Sequence, residues 1–366
     1  MRYLIAPDKF KGSLSAIEVA EIIGTTIESI DPGATIDLLP IADGGEGTAA
    51  ILAHHTGARR MTTDTIDPIG RPIEAEFYVG GLEAIVEMSA ASGLWRVQPA
   101  VRAPLESNTY GTGIILQRLI ESGIRRILIG LGGSATIDAG VGMAAALGYR
   151  FKDAQERPVE AYPSRFRQIQ SVISPKMEKI PEVIGLADVE TKLIGREGAI
   201  YTFGAQKGMS AEQIQKFDEE LGRLLTRLQS CLDVTPADLP GSGAAGGFGF
   251  GILTFLKGRL ISGFQIVSER VGLEERVERT DIVLTGEGKL DQQTLQGKGP
   301  IGVAKIARKF KKPVWGVAGV VEDYDEVAPF FDRLTALVSG NVTLTEALDD
   351  PERVLRQRIR ELLARS

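Results

Sequence analysis

Clusters of glycine that follow short apolar runs are the feature that most limits how this chain can fold. Glycine accounts for 43 of the 366 residues, well above the usual share of roughly 7%. The clusters recur without a fixed period, for example in GLGGSAT at 130–136 and PGSGAAGGFGFG at 240–251, so a collagen-like or low-complexity chain is excluded. Clustered glycine indicates tight turns and close approaches of the backbone.

The segments between these clusters alternate between strand-like and helical patterns. The run RYLIAP at 2–7 predicts a strand, and residues 13–30 then show helical spacing, with Ser13 or Ser15 as the N-terminal cap. From residue 60 to about residue 90 the pattern is β-rich and predicts an antiparallel meander, after which strands and helices alternate again. This order of elements predicts an α/β fold.

The length of the chain and its β-rich break together predict two α/β domains. We expect residues 1–65 and 281–366 to share a sheet in one discontinuous domain. Residues 66–280 would then form an inserted α/β domain with a β-rich start.

Charge and composition exclude several classes of protein. The net charge of −6 and the pI near 5.3 argue against a nucleic-acid partner, which would need a basic face. The single cysteine, Cys231, excludes an intrachain disulfide. With only two histidines, His54 and His55, the sequence argues against a His-based triad or a zinc site. The N-terminus does not resemble a signal peptide, and no apolar stretch reaches the length of a membrane span. We therefore predict a cytoplasmic protein.

Two glycine-containing stretches offer groups that suit phosphate. APDKFKGSLSA at 6–16 places lysines at a strand end just before a helix start, where backbone N–H groups attract anions. GLGGSAT adds hydroxyls to a glycine turn that could close around phosphate. The alternatives are a solvated turn with a serine cap in the first stretch and tight helix–strand packing in the second. The G-x-G-x-x-G match at 241–246 does not follow a strand, so it predicts no dinucleotide site.

Other strand ends carry acids. PIADGGEGT at 40–48 places two carboxylates before a helix, where they could also simply complement the helix dipole. Asp188 ends an apolar strand, with a turn or helix cap as the alternative role. TGEGKLDQQT at 285–294 combines Glu287, Lys289 and Asp291 with glycines. Basic and hydroxyl-bearing loops beside acidic ones are what phosphoryl transfer with Mg²⁺ needs, and no P-loop or protein-kinase motif is present.

Eight motifs in order resemble those of the type I glycerate kinase family, from about residue 3 to about residue 320. They are APDKFKGSLSA, PIADGGEGT, MSAASGL, YGTGIIL, GLGGSAT, FGAQKG, GSGAAGG and TGEGKLDQQTLQGKGPIGVA. The resemblance implies ATP-dependent phosphorylation of D-glycerate with Mg²⁺, usually giving 2-phosphoglycerate. It also implies two α/β domains with the active site in a cleft between them, one domain being assembled from both chain ends and the other inserted. Its partners would be glycerate and ATP, with no nucleic acid or membrane, and a homodimer is the candidate assembly.

The chain departs from the family pattern at a few positions. Ile137 and Ala139 stand where GGSATNDGG is expected, Thr191 and Lys192 stand where DVxNPL is expected, and Ala205 replaces the proline of FGPQKG. These changes lie beside the expected substrate pocket. They keep open a kinase for a related small hydroxy acid as the alternative, besides a non-catalytic regulator that binds anions or nucleotides.

Within this resemblance each candidate residue takes a role that suits its chemistry. Asp188 would act as the base for the glycerate hydroxyl, and Lys9, Lys11 and Lys289 would neutralise the phosphoryl group or the glycerate carboxylate. The remaining assignments are Asp8, Ser13, Asp43 and Glu46 for the substrate, Gly132, Gly133 and Ser134 for the nucleotide phosphates, and Glu287 and Asp291 for Mg²⁺.

Overall fold

The structure is a computed structural model that describes residues 1–176, 179–232, 234, 237–291, 294–296 and 299–364. Gln292 and Gln293 of the predicted acidic loop lie outside these ranges. The chain divides into two compact units, unit 1 being Met1–Asp43 with Gly263–Ser366 and unit 2 being Gly44–Ser262.

These divisions fall earlier in the chain than the predicted positions after residues 65 and 280. The strand at Arg59–Ile66 pairs with Pro72–Gly80, and the helix before it also contacts that partner strand, so residues 44–65 belong to unit 2. After residue 262, two short helices lie in unit 1, and the second contacts the helix at Gly299–Lys309.

The strands of the described chain are short, and most follow apolar runs. In chain order they are β1 (Arg2–Ile5), β2 (Thr35–Leu38), β3 (Arg59–Ile66), β4 (Pro72–Gly80), β5 (Glu83–Glu87), β6 (Arg126–Gly130), β7 (Arg150–Lys152), β8 (Ser171–Ile173), β9 (Glu182–Leu186), β10 (Arg259–Ile261), β11 (Ile282–Leu290), β12 (Val314–Val321) and β13 (Arg333–Ala336).

The helices are α1 (Ala16–Ile30), α2 (Thr48–Thr56), α3 (Ser89–Ser92), α4 (Tyr110–Glu121), α5 (Val141–Ala146), α6 (Ala199–Phe203), α7 (Ala211–Cys231), α8 (Ala244–Phe255), α9 (Gly263–Arg270), α10 (Leu273–Glu278), α11 (Gly299–Lys309), α12 (Tyr324–Val327), α13 (Leu344–Asp349) and α14 (Pro351–Ala364). Short 3₁₀ turns lie at Leu94–Arg96, Pro99–Val101, Pro104–Glu106, Pro163–Gln168, Ala205–Lys207, Thr294–Gln296 and Ala328–Phe330. No helix in the described ranges is both long enough and apolar enough to cross a membrane.

Unit 1 is built on a parallel sheet with the strand order β13-β12-β11-β1-β2. Its interior strand β1 is buried over Tyr3–Ile5, as expected for a parallel strand covered on both faces. Helix α1 turns Val19, Ala20, Ile23 and Ile27 into the core of this unit. Because β1 and β11 are parallel neighbours, the loops that follow them meet at one edge of the sheet.

Unit 2 is built on a mixed sheet with the order β10-β9-β6-β5-β4-β3. Strands β3, β4 and β5 pair antiparallel, which confirms the predicted meander, whereas β5, β6, β9 and β10 run parallel. A second core made of Ile, Leu, Val, Met and Phe side chains fills this unit. With helices packed on parallel strands in both units, the predicted α/β class is confirmed.

Candidate functional site

In unit 1, carboxylates gather at the edge where β1 and β11 end. Asp8 is buried, and its backbone N–H donates to the Gly286 carbonyl on β11. The Lys9 ammonium lies 3.6 Å from the Asp8 carboxylate and 3.8 Å from the Asp43 carboxylate. Glu287 projects from β11 and accepts a hydrogen bond of 2.8 Å from the Thr294 hydroxyl. The pairing of β1 with β11 thus brings together residues that are far apart in sequence.

The environment of this cluster disfavours its negative charge. Burial raises the pKa of Glu287 to about 8, and the neighbouring charges of Asp8 and Asp43 add to this rise, against the hydrogen bond from Thr294 and the charge of Lys9. Burial likewise raises the pKa of Asp8 to about 6, partly offset by Lys9. Buried carboxylates whose pKa is raised further by neighbouring carboxylates would gain from a bound cation, because a cation relieves both the desolvation and the mutual repulsion.

The predicted metal pair, Glu287 and Asp291, is linked through one residue. Besides contacting Glu287, Thr294 donates its backbone N–H to Asp291 at 3.4 Å, and its hydroxyl accepts from the Asp291 N–H at 3.2 Å. Lys289 lies 3.3 Å from Asp291 and 2.9 Å from Glu322, and hydrogen bonds to these two acids raise the pKa of its ammonium. The structure therefore engages Lys289 in exposed ion pairs, with Glu322 as a partner that the sequence prediction missed.

The other predicted residues of the first loop are less enclosed. Lys11 is exposed, and the half-buried Ser13 donates its hydroxyl to the Phe10 carbonyl at 3.0 Å. Of the two candidate caps of α1, Ser15 takes the role and forms a reciprocal capping box with Glu18. Ser13 is thus part of the turn that precedes the helix.

In unit 2, the parallel strands β5, β6 and β9 carry Glu87, the 131–136 loop and Asp188 to the same edge of the sheet. Gly132 has a packing role here, because a Cβ on it would lie 2.8 Å from the Gly45 Cα and 3.0 Å from the Glu46 nitrogen. Gly133 is more open: a Cβ there would meet Ser89 at 3.5 Å and the Glu46 carboxylate at 3.8 Å. Gly132 therefore packs against the backbone of the loop at 45–46, which differs from the helix–strand packing that the sequence had left open as an alternative.

Glu87 is a functional candidate that the sequence analysis missed. Its carboxylate accepts from the backbone N–H groups of Gly47 at 2.7 Å and Ala49 at 3.0 Å, so it complements the start of α2. That role had been considered for the acids of PIADGGEGT, but Glu46 is exposed in the structure. Glu46, Glu87 and Ser89 also line a cavity of about 420 Å³, together with Tyr78 and Trp95. A carboxylate at the end of the apolar run AIVE was the available sequence signal.

Asp188 follows β9 and is half-buried. It does not cap α6, the next helix along the chain, which begins eleven residues later with Gly198 at its N-cap. Its carboxylate accepts a hydrogen bond of 2.6 Å from the hydroxyl of Ser262, which follows the neighbouring parallel strand β10. Ser262 was missed because only the pairing of β9 with β10 brings it to Asp188.

Lys207, in FGAQKG, is a buried lysine whose ammonium lies at the 131–136 loop. Its ammonium donates to the Ser134 hydroxyl and to the Thr136 carbonyl, each at 2.7 Å. Asp138 is also buried and accepts from the Thr109 backbone and hydroxyl at 2.8 and 2.7 Å. Burial lowers the pKa of Lys207 to about 7, and the charge of Asp138 opposes this shift. The sequence supplies Lys207 within the FGAQKG motif, but its burial depends on the packing of distant segments.

Mg²⁺ would find suitable donors in unit 1. Within the described ranges, no three His, Cys, Asp or Glu side chains form a group that could hold a metal ion by themselves. Mg²⁺ is commonly held by one or two carboxylates, water and substrate phosphates, however, so such a closed group is not required. The oxygen-only cluster around Glu287, with its raised pKa, fits an ion that arrives with a nucleotide.

The chain is similar to known proteins over nearly its whole length. A model of the glycerate kinase family matches residues 3–365. Glycerate kinase of Bacillus subtilis (strain 168) is 38% identical over 372 residues, which cover 100% of this chain and 97% of that protein. Glycerate 2-kinase of Escherichia coli (strain K12) is 40% identical over 331 residues, covering 88% and 86%.

A solved structure is similar along the whole chain. The crystal structure of putative glycerate kinase 2 from Salmonella typhimurium LT2 matches with a TM-score of 0.85 and 38% identity, covering 100% of this chain and 97% of that one. Such identity over nearly full length goes beyond a shared fold. The chain belongs to the glycerate kinase family and is a kinase.

Proposed function

We propose that the protein phosphorylates D-glycerate at its 2-hydroxyl with ATP and Mg²⁺, giving 2-phosphoglycerate. The observation that carries this proposal is the cluster of Asp8, Asp43 and Glu287 around Lys9, which is suited to a cation and a phosphoryl group. The name of the relative from Escherichia coli, glycerate 2-kinase, supports the position of phosphorylation.

In unit 1, Glu287 and Asp291 would hold Mg²⁺, directly or through water, and Thr294 would keep their carboxylates in place. When bound, Mg²⁺ supplies positive charge that stabilises the charge developing on the phosphates. Lys9 and Lys11 would neutralise the phosphoryl group or the glycerate carboxylate. Lys289 would act there only after exchanging its acidic partners, which makes it the weakest of the lysine assignments.

In unit 2, Asp188 would accept the proton of the 2-hydroxyl, with its carboxylate oriented by the Ser262 hydroxyl. Gly133 and Ser134 would contact the nucleotide phosphates, and Gly132 would contribute by letting the loop at 45–46 pack closely. Asp8 and Ser13 would contact the substrate, and Asp43 and Glu46 would hold glycerate hydroxyls or magnesium-bound water.

A coupled ADP-release assay tests this function. D-glycerate, L-glycerate, tartronate and sugar acids are compared with and without Mg²⁺, and the product is identified by phosphorus NMR. We expect D-glycerate to be preferred and 2-phosphoglycerate to form only with Mg²⁺.

Each other outcome of the assay would favour a different position of phosphorylation, substrate or function. Formation of 3-phosphoglycerate would overturn the assigned position of phosphorylation. Preference for another acid would favour the related hydroxy-acid kinase, the alternative prompted by Ile137, Thr191 and Lys192. ATP binding without ADP release in the presence of any of these acids would favour a regulator that binds anions or nucleotides.

We also propose that the enzyme acts in the cytoplasm as a homodimer. Light scattering after gel filtration measures its assembly.

A further inference from the structure

Lys207 directs its charged end at the loop that follows β6. Only 2% of the residue is exposed, although it lies in the short 3₁₀ turn Ala205–Lys207 between α6 and α7. Its ammonium donates two hydrogen bonds to this loop, one to the Ser134 hydroxyl and one to the Thr136 carbonyl. The ammonium thus joins the turn of FGAQKG to the loop of GLGGSAT.

Joining two segments through a buried ammonium carries a large desolvation cost. An apolar side chain of similar length would fill the same space without the cost of desolvating a charge. The chain instead keeps room for the charge: a Cβ on Gly246 would lie 2.8 Å from the Lys207 nitrogen and 1.9 Å from the Thr136 oxygen. Gly246 also has a φ of +70°, which favours glycine. The site is therefore shaped around the ammonium.

Asp138 supplies the opposite charge for this site. It is fully buried, and its carboxylate accepts from Thr109 and from the N–H of Gly142 at 2.9 Å. These donors favour the ionised carboxylate, although burial raises the pKa of Asp138. Its negative charge favours the protonated form of Lys207.

The bond from Lys207 determines what the Ser134 hydroxyl can do. An ammonium has donors only, so the Ser134 oxygen must accept, and its own hydrogen is left to donate in another direction. We propose that Lys207 is a positioning residue that holds the Ser134 hydroxyl as a hydrogen-bond donor to a nucleotide phosphate. This inference rests on the proposed function, in which Ser134 contacts the phosphates.

The test compares four full-length proteins with the wild type: Lys207→Met, Ser134→Ala, the double variant, and Lys152→Met as the control. Lys152 is another lysine of unit 2, and its ammonium pairs with Glu156 on the surface. The Kd of ATP is measured by equilibrium dialysis without glycerate, and kcat and both KM values are measured separately. Unfolding curves establish that each variant is folded.

We expect each single variant to raise the Kd and KM of ATP by roughly tenfold, the effect of one lost charge-assisted hydrogen bond. The KM of glycerate should not change, and the control should match the wild type. The double variant should bind ATP no more weakly than Ser134→Ala, because Lys207 acts through that hydroxyl. A purely structural lysine would alter stability without this selective and non-additive effect on ATP.

The opposite results overturn the inference. They are an unchanged Kd in folded Lys207→Met, or a double variant whose loss equals the two single losses combined. The outcome is separate from that of the proposed function. If the wild type binds ATP but phosphorylates no acid, the function fails while the dialysis data still decide the role of Lys207. If the wild type binds no ATP, both fail.

Discussion

Replacing Lys207 by methionine should make unit 2 more stable. Burial lowers the pKa of this lysine from 10.5 to about 7. Each pKa unit corresponds to about 1.4 kcal/mol, so the charged form costs the folded state about 5 kcal/mol. Methionine has no charge to desolvate, but it leaves the Thr136 carbonyl without its donor, which costs about 1–3 kcal/mol. The expected net gain below pH 7 is therefore about 2–4 kcal/mol.

The gain should depend on pH in a defined direction. Because the pKa of Lys207 is lower in the folded protein, the unfolded chain binds the proton more tightly between pH 7 and pH 10.5. Wild-type stability thus rises with pH across this window, whereas the methionine variant lacks this contribution. The advantage of Lys207→Met should be largest at pH 6 and should shrink by about 3 kcal/mol by pH 9.

Urea unfolding at these two pH values measures the effect. The chain has two tryptophans, Trp95 in unit 2 and Trp315 in unit 1. A Trp315→Phe background lets fluorescence report on unit 2 alone, and Lys152→Met in the same background is the control. Other titrating groups are common to the proteins compared, so their contributions cancel. A variant that is less stable at pH 6, or a difference that does not change with pH, would refute the reasoning.

Three further predictions concern other parts of the two units. Asp188→Asn should lower kcat by roughly 10²–10⁴-fold with unaltered unfolding, and the exposed Asp64→Asn is its control; near-wild-type turnover would exclude Asp188 as the base. Mg²⁺ binding measured by calorimetry should strengthen as pH rises to about 8, because Glu287 must lose its proton to bind the ion. A Glu287→Gln variant whose Mg²⁺ affinity keeps the same pH dependence would contradict the assignment of Glu287 to the metal. Gly246→Ala should destabilise unit 2 by about 2–5 kcal/mol through left-handed strain and the clash with the Thr136 carbonyl. Gly222→Ala, whose added Cβ meets nothing within 4 Å, should be neutral or stabilising and is the control. Similar unfolding curves for both glycine variants would argue against a site shaped around the Lys207 ammonium.

Local patterns were sufficient for the class of fold and for the family. The alternation of apolar runs and helical spacing predicted the α/β elements, and the β-rich stretch predicted the antiparallel strands β3–β5. Such patterns depend on neighbours only a few residues away, so the sequence displays them directly. The glycine loops were visible for the same reason, and their order along the chain indicated glycerate kinases.

Pairing between distant segments decided the rest. Asp8 meets Glu287 only because β1 pairs with β11, and Ser262 reaches Asp188 only because β10 pairs with β9. The extent of each unit was also set this way, since β3 pairs with β4 and thereby places residues before 66 in unit 2.

The charge states of the candidate groups were likewise decided by tertiary structure. Lys207 and Lys289 look alike in sequence, yet one is buried against Ser134 and the other pairs with Glu322 in solvent. The pKa of an ionisable group depends on desolvation and on charges within a few ångströms, and both are properties of the packed chain. By itself, the sequence determined which chemical groups this kinase has, and the tertiary structure decided which of them are buried, paired and able to act together.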